Sequence, residues 1–122
     1  MENQGQDSEV HKHGTWEADS PALAGVSGRI RLMVGDKPQG VLVVDDGHLT
    51  LTEDDGRPAD VTATCTSREI LVKLLRGEVN PVVAALRGEI SQRGSRELGA
   101  KVILGLRAGS PFVHTPFDGK DA

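Results

Sequence analysis

The chain has 122 residues, enough for one domain with a real core and too few for two. Fourteen Lys and Arg lie scattered among eighteen Asp and Glu, for a formal charge of -4, which argues against a nucleic-acid partner. Cys65 is the only cysteine and cannot form an internal disulfide, no apolar run approaches the ~20 residues of a membrane span, and "MENQGQDSEVHKHGTW" lacks the basic and apolar regions of a secretory signal, so the expectation is a cytoplasmic protein without stable membrane insertion.

Residues 1–14 are polar and without period, the pattern of a flexible tail. "TWEADSPALAG" predicts one or two helical turns, the second opening at Pro21. From Gly28 the period becomes two: Ile30, Leu32 and Val34 alternate with Arg29, Arg31 and Met33, as a half-buried strand requires. Three more short strands follow at Val41 to Val44, around Leu49 and Leu51, and at Val61, Ala63 and Cys65. Asp45-Asp46-Gly47 and Asp54-Asp55-Gly56 separate them, and Asp-Gly supplies the positive φ of tight hairpins. Four strands on short turns predict an antiparallel meander with one apolar face.

After Cys65 the period switches. Thr66 and Glu69 suit a capping box, and Ile70, Leu71, Leu74 and Leu75 fall on one helical face. Gly77 ends that helix. Asn80 as N-cap and Pro81 at the first position start another, which runs to Arg87 and stops at Gly88. Leu-Arg-Gly-Glu is thus written twice because two helix ends need the same parts: a Leu facing the core, an Arg near the carbonyls, a Gly to turn and a Glu to leave. "EISQR" reads as a fifth strand, and "SRELGAKVILGLR" as a last helix capped by Ser95. Its apolar face is so wide, with Leu98, Val102, Ile103, Leu104 and Leu106, that it should be covered on two sides.

The outcome is an α+β fold, a five-stranded, mostly antiparallel sheet covered on one face by helices, with one domain over 15–107 and a tail over 108–122. With only three aromatics, Trp16, Phe112 and Phe117, the core is aliphatic, and two such layers either close on each other or leave a gap for an apolar guest. Phe112 and Phe117 in the tail are placed to cap the mouth of such a gap.

In the order and spacing of these elements the chain resembles the sterol carrier protein 2 (SCP2) family of lipid-binding domains from about Gly28 to Leu106. The resemblance is carried by "ADVTATCTSREILVKLLRGEVNP", against an Ala-Asp-x-Thr strand, a Ser/Thr-capped helix and Leu-x-x-Gly-x-x-Asn-Pro. It continues in "VVAALRGEISQRGSRELGAKV", against a Gly-Lys-Ile strand, a Gly-Asp or Gly-Asn turn and a Leu-Ala-x-Lys helix. It implies an apolar tunnel between sheet and helices for sterols, fatty acids or acyl chains, with no catalytic centre, cofactor or metal. Carried onto this chain, the tunnel would be lined by Leu42, Leu49, Leu51, Val61 and Ala63 from the sheet and Leu74, Val83, Leu86, Leu98 and Val102 from the helices, with Phe112 at its mouth. Three departures stand out. The long helix expected before the first strand is missing, so a second copy could supply that wall. Gln92 stands where the family prefers an aliphatic residue, which makes the cavity more polar, and Ser95 replaces the Asp or Asn of the turn. The terminal "KDA" lacks a Ser-Lys-Leu address, consistent with a bacterial-type cytoplasmic setting.

Chemistry has few candidates. His11 and His13 lack further metal ligands, and the Asp-Asp-Gly turns lack those of a calcium loop. Cys65 and His48 should point to opposite faces of the sheet, and Ser110, His114 and Asp118 fall in a tail without a scaffold. The expected function is therefore non-enzymatic carriage of a hydrophobic small molecule. The alternatives are a dimerising module with a vestigial cavity, or an accessory to an enzyme acting on a lipid-like substrate.

Overall fold

A computed structural model describes residues 10–12, 15–110 and 112, with residues 10–12 and Thr15 described by their backbone alone. The strands are β1 (Val10–Lys12), β2 (Thr15–Asp19), β3 (Ser27–Val34), β4 (Lys37–Asp45), β5 (His48–Thr52), β6 (Val61–Cys65) and β7 (Ile90–Gly94). The helices are α1 (Arg68–Leu75), α2 (Pro81–Leu86) and α3 (Arg96–Gly109), with a 3-10 turn at Pro21–Leu23. The strands form one sheet in the order β1-β2-β5-β4-β3-β6-β7, antiparallel except for β3 beside β6. No helix among the described residues is long and apolar enough to cross a membrane.

The α+β class holds and all five expected strands are present, preceded by two that were not expected. Val10–Lys12 lies in the expected tail, and Thr15–Asp19 replaces a helical turn. In Thr15–Asp19 the apolar residues recur at two, not at three or four: Trp16 and Ala18 pair with Leu51 and Leu49 of β5, while Glu17 and Asp19 turn to the other face. The helical reading survives only as the turn Pro21–Leu23, whose Leu23 is fully buried. Trp16 and Leu23 thereby fill part of the wall that the short N-terminus was expected to leave to a second copy.

The meander has three strands in succession, β3-β4-β5, and not four. Asp46 and Gly47 both take positive φ, 50° and 88°, and make the tight hairpin between β4 and β5. Asp54-Asp55-Gly56 makes no hairpin. Residues 53–60 cross the outer face of the sheet and deliver β6 to the far side of β3, where it runs parallel. Two arginines that alternate outward on β3 hold this strap. Arg31 pairs with Asp54 at 3.0 Å and donates to the Arg57 carbonyl; Arg29 pairs with Asp55 at 2.8 Å and donates to the Pro58 carbonyl. Val41, on the same outward face of β4, is wholly buried yet stands outside the helix-side core, as a residue beneath such a strap should.

Caps set the helix starts. The α1 N-cap is Ser67, whose hydroxyl accepts from the Ile70 amide, and not its neighbour Thr66. Asn80 caps α2 by accepting from the amides of Val82 and Val83, with Pro81 at the first position, and Ser95 caps α3 through the Leu98 amide. Gly77 and Gly88 turn the chain with φ of 78° and 70°. The two Leu-Arg-Gly-Glu ends nevertheless differ: Leu75 is fully buried, whereas Leu86 is 83% exposed, because α2 lies over the edge strand β7 and its last turn points away from the sheet. α3 is covered on two sides, but Leu104, expected on its apolar face, is 55% exposed. One side meets β6 and β7; on another, Gly105 receives Leu23 so closely that a Cβ there would lie 2.2 Å from the Leu23 Cδ2. The last helix runs to Gly109, and Phe112 beyond it is buried in the core, so the expected tail from residue 108 begins as part of the domain.

Candidate ligand cavity

Pleating places Ile30 and Leu32 of β3, Leu42 of β4, and Val61 and Ala63 of β6 on the face that meets the helices, since Ile30 pairs with both Leu42 and Val61 and Leu32 with Ala63. Opposite them stand Leu74 and Leu75 of α1 and Val102, Ile103 and Leu106 of α3, spaced three or four apart on inward stripes. Between these walls lies a gap of about 20 Å³. It holds one water or a methyl group, against roughly 300 Å³ or more for a ligand pocket. The two layers nearly touch, and an apolar guest enters only if they part.

Gln92 of β7 is the single polar side chain on this lining. It sits in one row with Leu32 and Ala63 across β3, β6 and β7. Its Oε1 is withdrawn from solvent and has no hydrogen-bond partner, and Gly99 of α3 lies against it: a Cβ on Gly99 would meet that oxygen at 1.9 Å.

The residues expected to line a tunnel separate into four groups. Leu42, Val61, Ala63, Leu74 and Val102 border the gap. Leu49, Leu51 and Phe112 are buried in the same core without reaching it, and Leu98 is half-buried against Gly28. Val83, 39% exposed, instead lines a more polar surface groove between α1 and α2 of about 230 Å³, with Lys73, Glu78, Arg87 and Glu89. Leu86 borders neither space, because its turn of α2 faces outward. Phe112 is seated where α3 ends beside α1: the Ser110 hydroxyl donates to the Leu75 carbonyl and accepts from the Phe112 amide. Phe117 lies outside the described residues. Ile30, Leu32, Leu75, Ile103 and Leu106 were not among the candidates, although their alternation or helical spacing put them on the apolar faces. Nothing in the sequence singled out Gly99.

The chemical candidates stay apart. Burial pushes the Cys65 thiol up to about 11, and Cys65 faces the helices while His48 faces away. His48 Nδ1 lies 2.8 Å from Asp19 Oδ1 and Nε2 3.1 Å from Glu17 Oε1, and these hydrogen bonds, Asp19 first, raise its pKa against a smaller desolvation. Ser110 is engaged as above, while His114 and Asp118 lie outside the described residues. No group of three or more His, Cys, Asp or Glu among the described residues could hold a metal ion.

A family profile described as the SCP-2 sterol transfer family matches residues 9–103. No curated protein sequence matches the chain. Among solved structures, the fold is similar to that of the sterol carrier protein domain 2 of Helicoverpa armigera, with 23% identity, a TM-score of 0.51 and 74% of each chain covered. It is similar also to the ubiquinone synthesis protein UbiJ-SCP2, at 18% identity and a TM-score of 0.56, over 71% of this chain and 73% of that one. The sec-alkylsulfatase Pisa1 from Pseudomonas sp. is alike at 20% identity and a TM-score of 0.55; 76% of this chain aligns with only 15% of that enzyme.

Proposed function

The chain belongs to the SCP-2 sterol transfer family, and from that premise we propose that it binds and carries a hydrophobic molecule, an acyl chain or a sterol-like body, in the seam between sheet and helices without reacting with it. One observation carries the reading: the gap lies between two aliphatic walls with a single polar side chain among them. A guest of about a dozen methylenes gains roughly 10 kcal/mol gross from leaving water, against which stand its immobilisation and the parting of the layers. The separation of Cys65 from His48 across the sheet supports carriage over catalysis.

The test is titration with a fluorescent acyl probe while amide exchange in α3 is followed. One-to-one saturable binding, displaced by fatty acid and accompanied by altered exchange along Val102 to Leu106, is expected. Failure of every apolar probe at stoichiometric ratio removes the reading. A second reading, in which another copy covers the helix layer, is favoured by Val82 and Leu86 of α2 and Leu104 of α3, which are 66%, 83% and 55% exposed. Sedimentation over a range of concentrations separates the two, since a strict monomer refutes the second.

A further inference from the structure

Resting on the carrier reading, we propose that Gln92 determines specificity by accepting a hydrogen bond from a hydroxyl on the ligand, so that the preferred guest is a long-chain alcohol. Three observations converge on the side chain. Its Oε1 is buried with no donor in reach, a state that native proteins rarely leave unsatisfied. It borders the gap between the layers, whose other walls are apolar. The space it occupies exists because residue 99 has no Cβ, which would otherwise sit 1.9 Å from the oxygen.

Water is a poor substitute for the missing donor. A buried water is held by two to four polar partners, and the lining offers only this carboxamide. A hydroxyl attached to an apolar body is positioned by the aliphatic walls and needs the one bond. An ionised carboxylate cannot donate to Oε1 and would bring an unpaired charge into the seam.

The experiment compares dodecanol with its isomer undecyl methyl ether, which buries the same atoms but carries no donor. The wild-type protein should bind the alcohol about five- to tenfold more tightly, the range of one net hydrogen bond. The Gln92→Leu variant should bind both alike, with Gln92→Met in its place if the Leu form does not fold. In nitrogen-15 spectra of the wild type, the Gln92 carboxamide resonances should shift with the alcohol and not with the ether. Equal wild-type affinities, or a preference that persists in the variant, overturn the role of Gln92 and leave carriage standing. If neither compound binds while the fluorescent acyl probe does, the hydroxyl site falls and carriage stands; if no apolar probe binds, both fall.

Discussion

Gly77→Ala and Gly88→Ala make the same change in the same four letters, and they should differ sharply. Both glycines hold a left-handed φ, 78° and 70°, so each alanine costs about 1–2 kcal/mol in backbone conformation. At Gly88 nothing lies within 4 Å of the added Cβ, and the cost should end there. At Gly77 the Cβ would sit 2.1 Å from the Leu106 carbonyl oxygen and 3.3 Å from the Arg107 Cα. Those atoms belong to the backbone of α3 and cannot rotate aside, so the end of α1 must lift by more than an ångström and disturb buried Leu75. Overpacking of this kind adds about 1–3 kcal/mol. Urea unfolding of the two variants, read by circular dichroism, should place the Gly77→Ala midpoint below that of Gly88→Ala by about 1 M, given slopes of about 1–3 kcal/mol per molar. Coincident midpoints would refute the close seating of α1 on α3.

Three further outcomes are expected. The Arg31 guanidinium first, then the Gly56 amide, hold the Asp54 carboxyl below its ordinary value near 3.8, and the Arg57 amide and guanidinium do the same for Asp55. Depressed folded values mean that the strap's contribution is present above the ordinary carboxylate range and lost as pH falls through the folded values. Arg31→Ala should therefore flatten the acid limb of a stability profile taken down to about pH 2, and an unchanged limb would count against the strap. His48 should titrate above 6.5 by proton NMR and return toward it in Asp19→Asn. Because its folded value is raised, its contribution is full below the ordinary pKa and fades as pH rises through the folded one. The Cys65 thiol, buried and pushed up to about 11, should resist iodoacetamide at about pH 8 until the protein unfolds, as read by mass spectrometry.

Period and punctuation in the sequence sufficed for β3 to β5 and for the helices α1 to α3, because each depends on neighbours within a few residues. The place of β6 does not. Asp-Asp-Gly reads alike at 45–47 and 54–56, and only Arg29 and Arg31, more than twenty positions upstream, convert the second from a hairpin into a strap. Ser67 and Thr66 are adjacent hydroxyls, and which one caps depends on where β6 ends: the Thr66 amide is taken by the Glu89 carbonyl. Leu86 was misplaced because its letters match Leu75, whereas exposure depends on α2 lying over the sheet edge. Gln92 could be singled out on its own strand, but its meaning needed Gly99, and the approach of a helix to a strand leaves no local mark.

The strap also divides the gene's reading order. Ile30, Leu32 and Leu42 come before it, while Val61, Leu74 and Val102 follow it, so the hollow lies where an early stretch of polypeptide meets a late one. Neither stretch alone can host a guest. A molecule held between them would favour the joined state of the two stretches over their separated state by mass action.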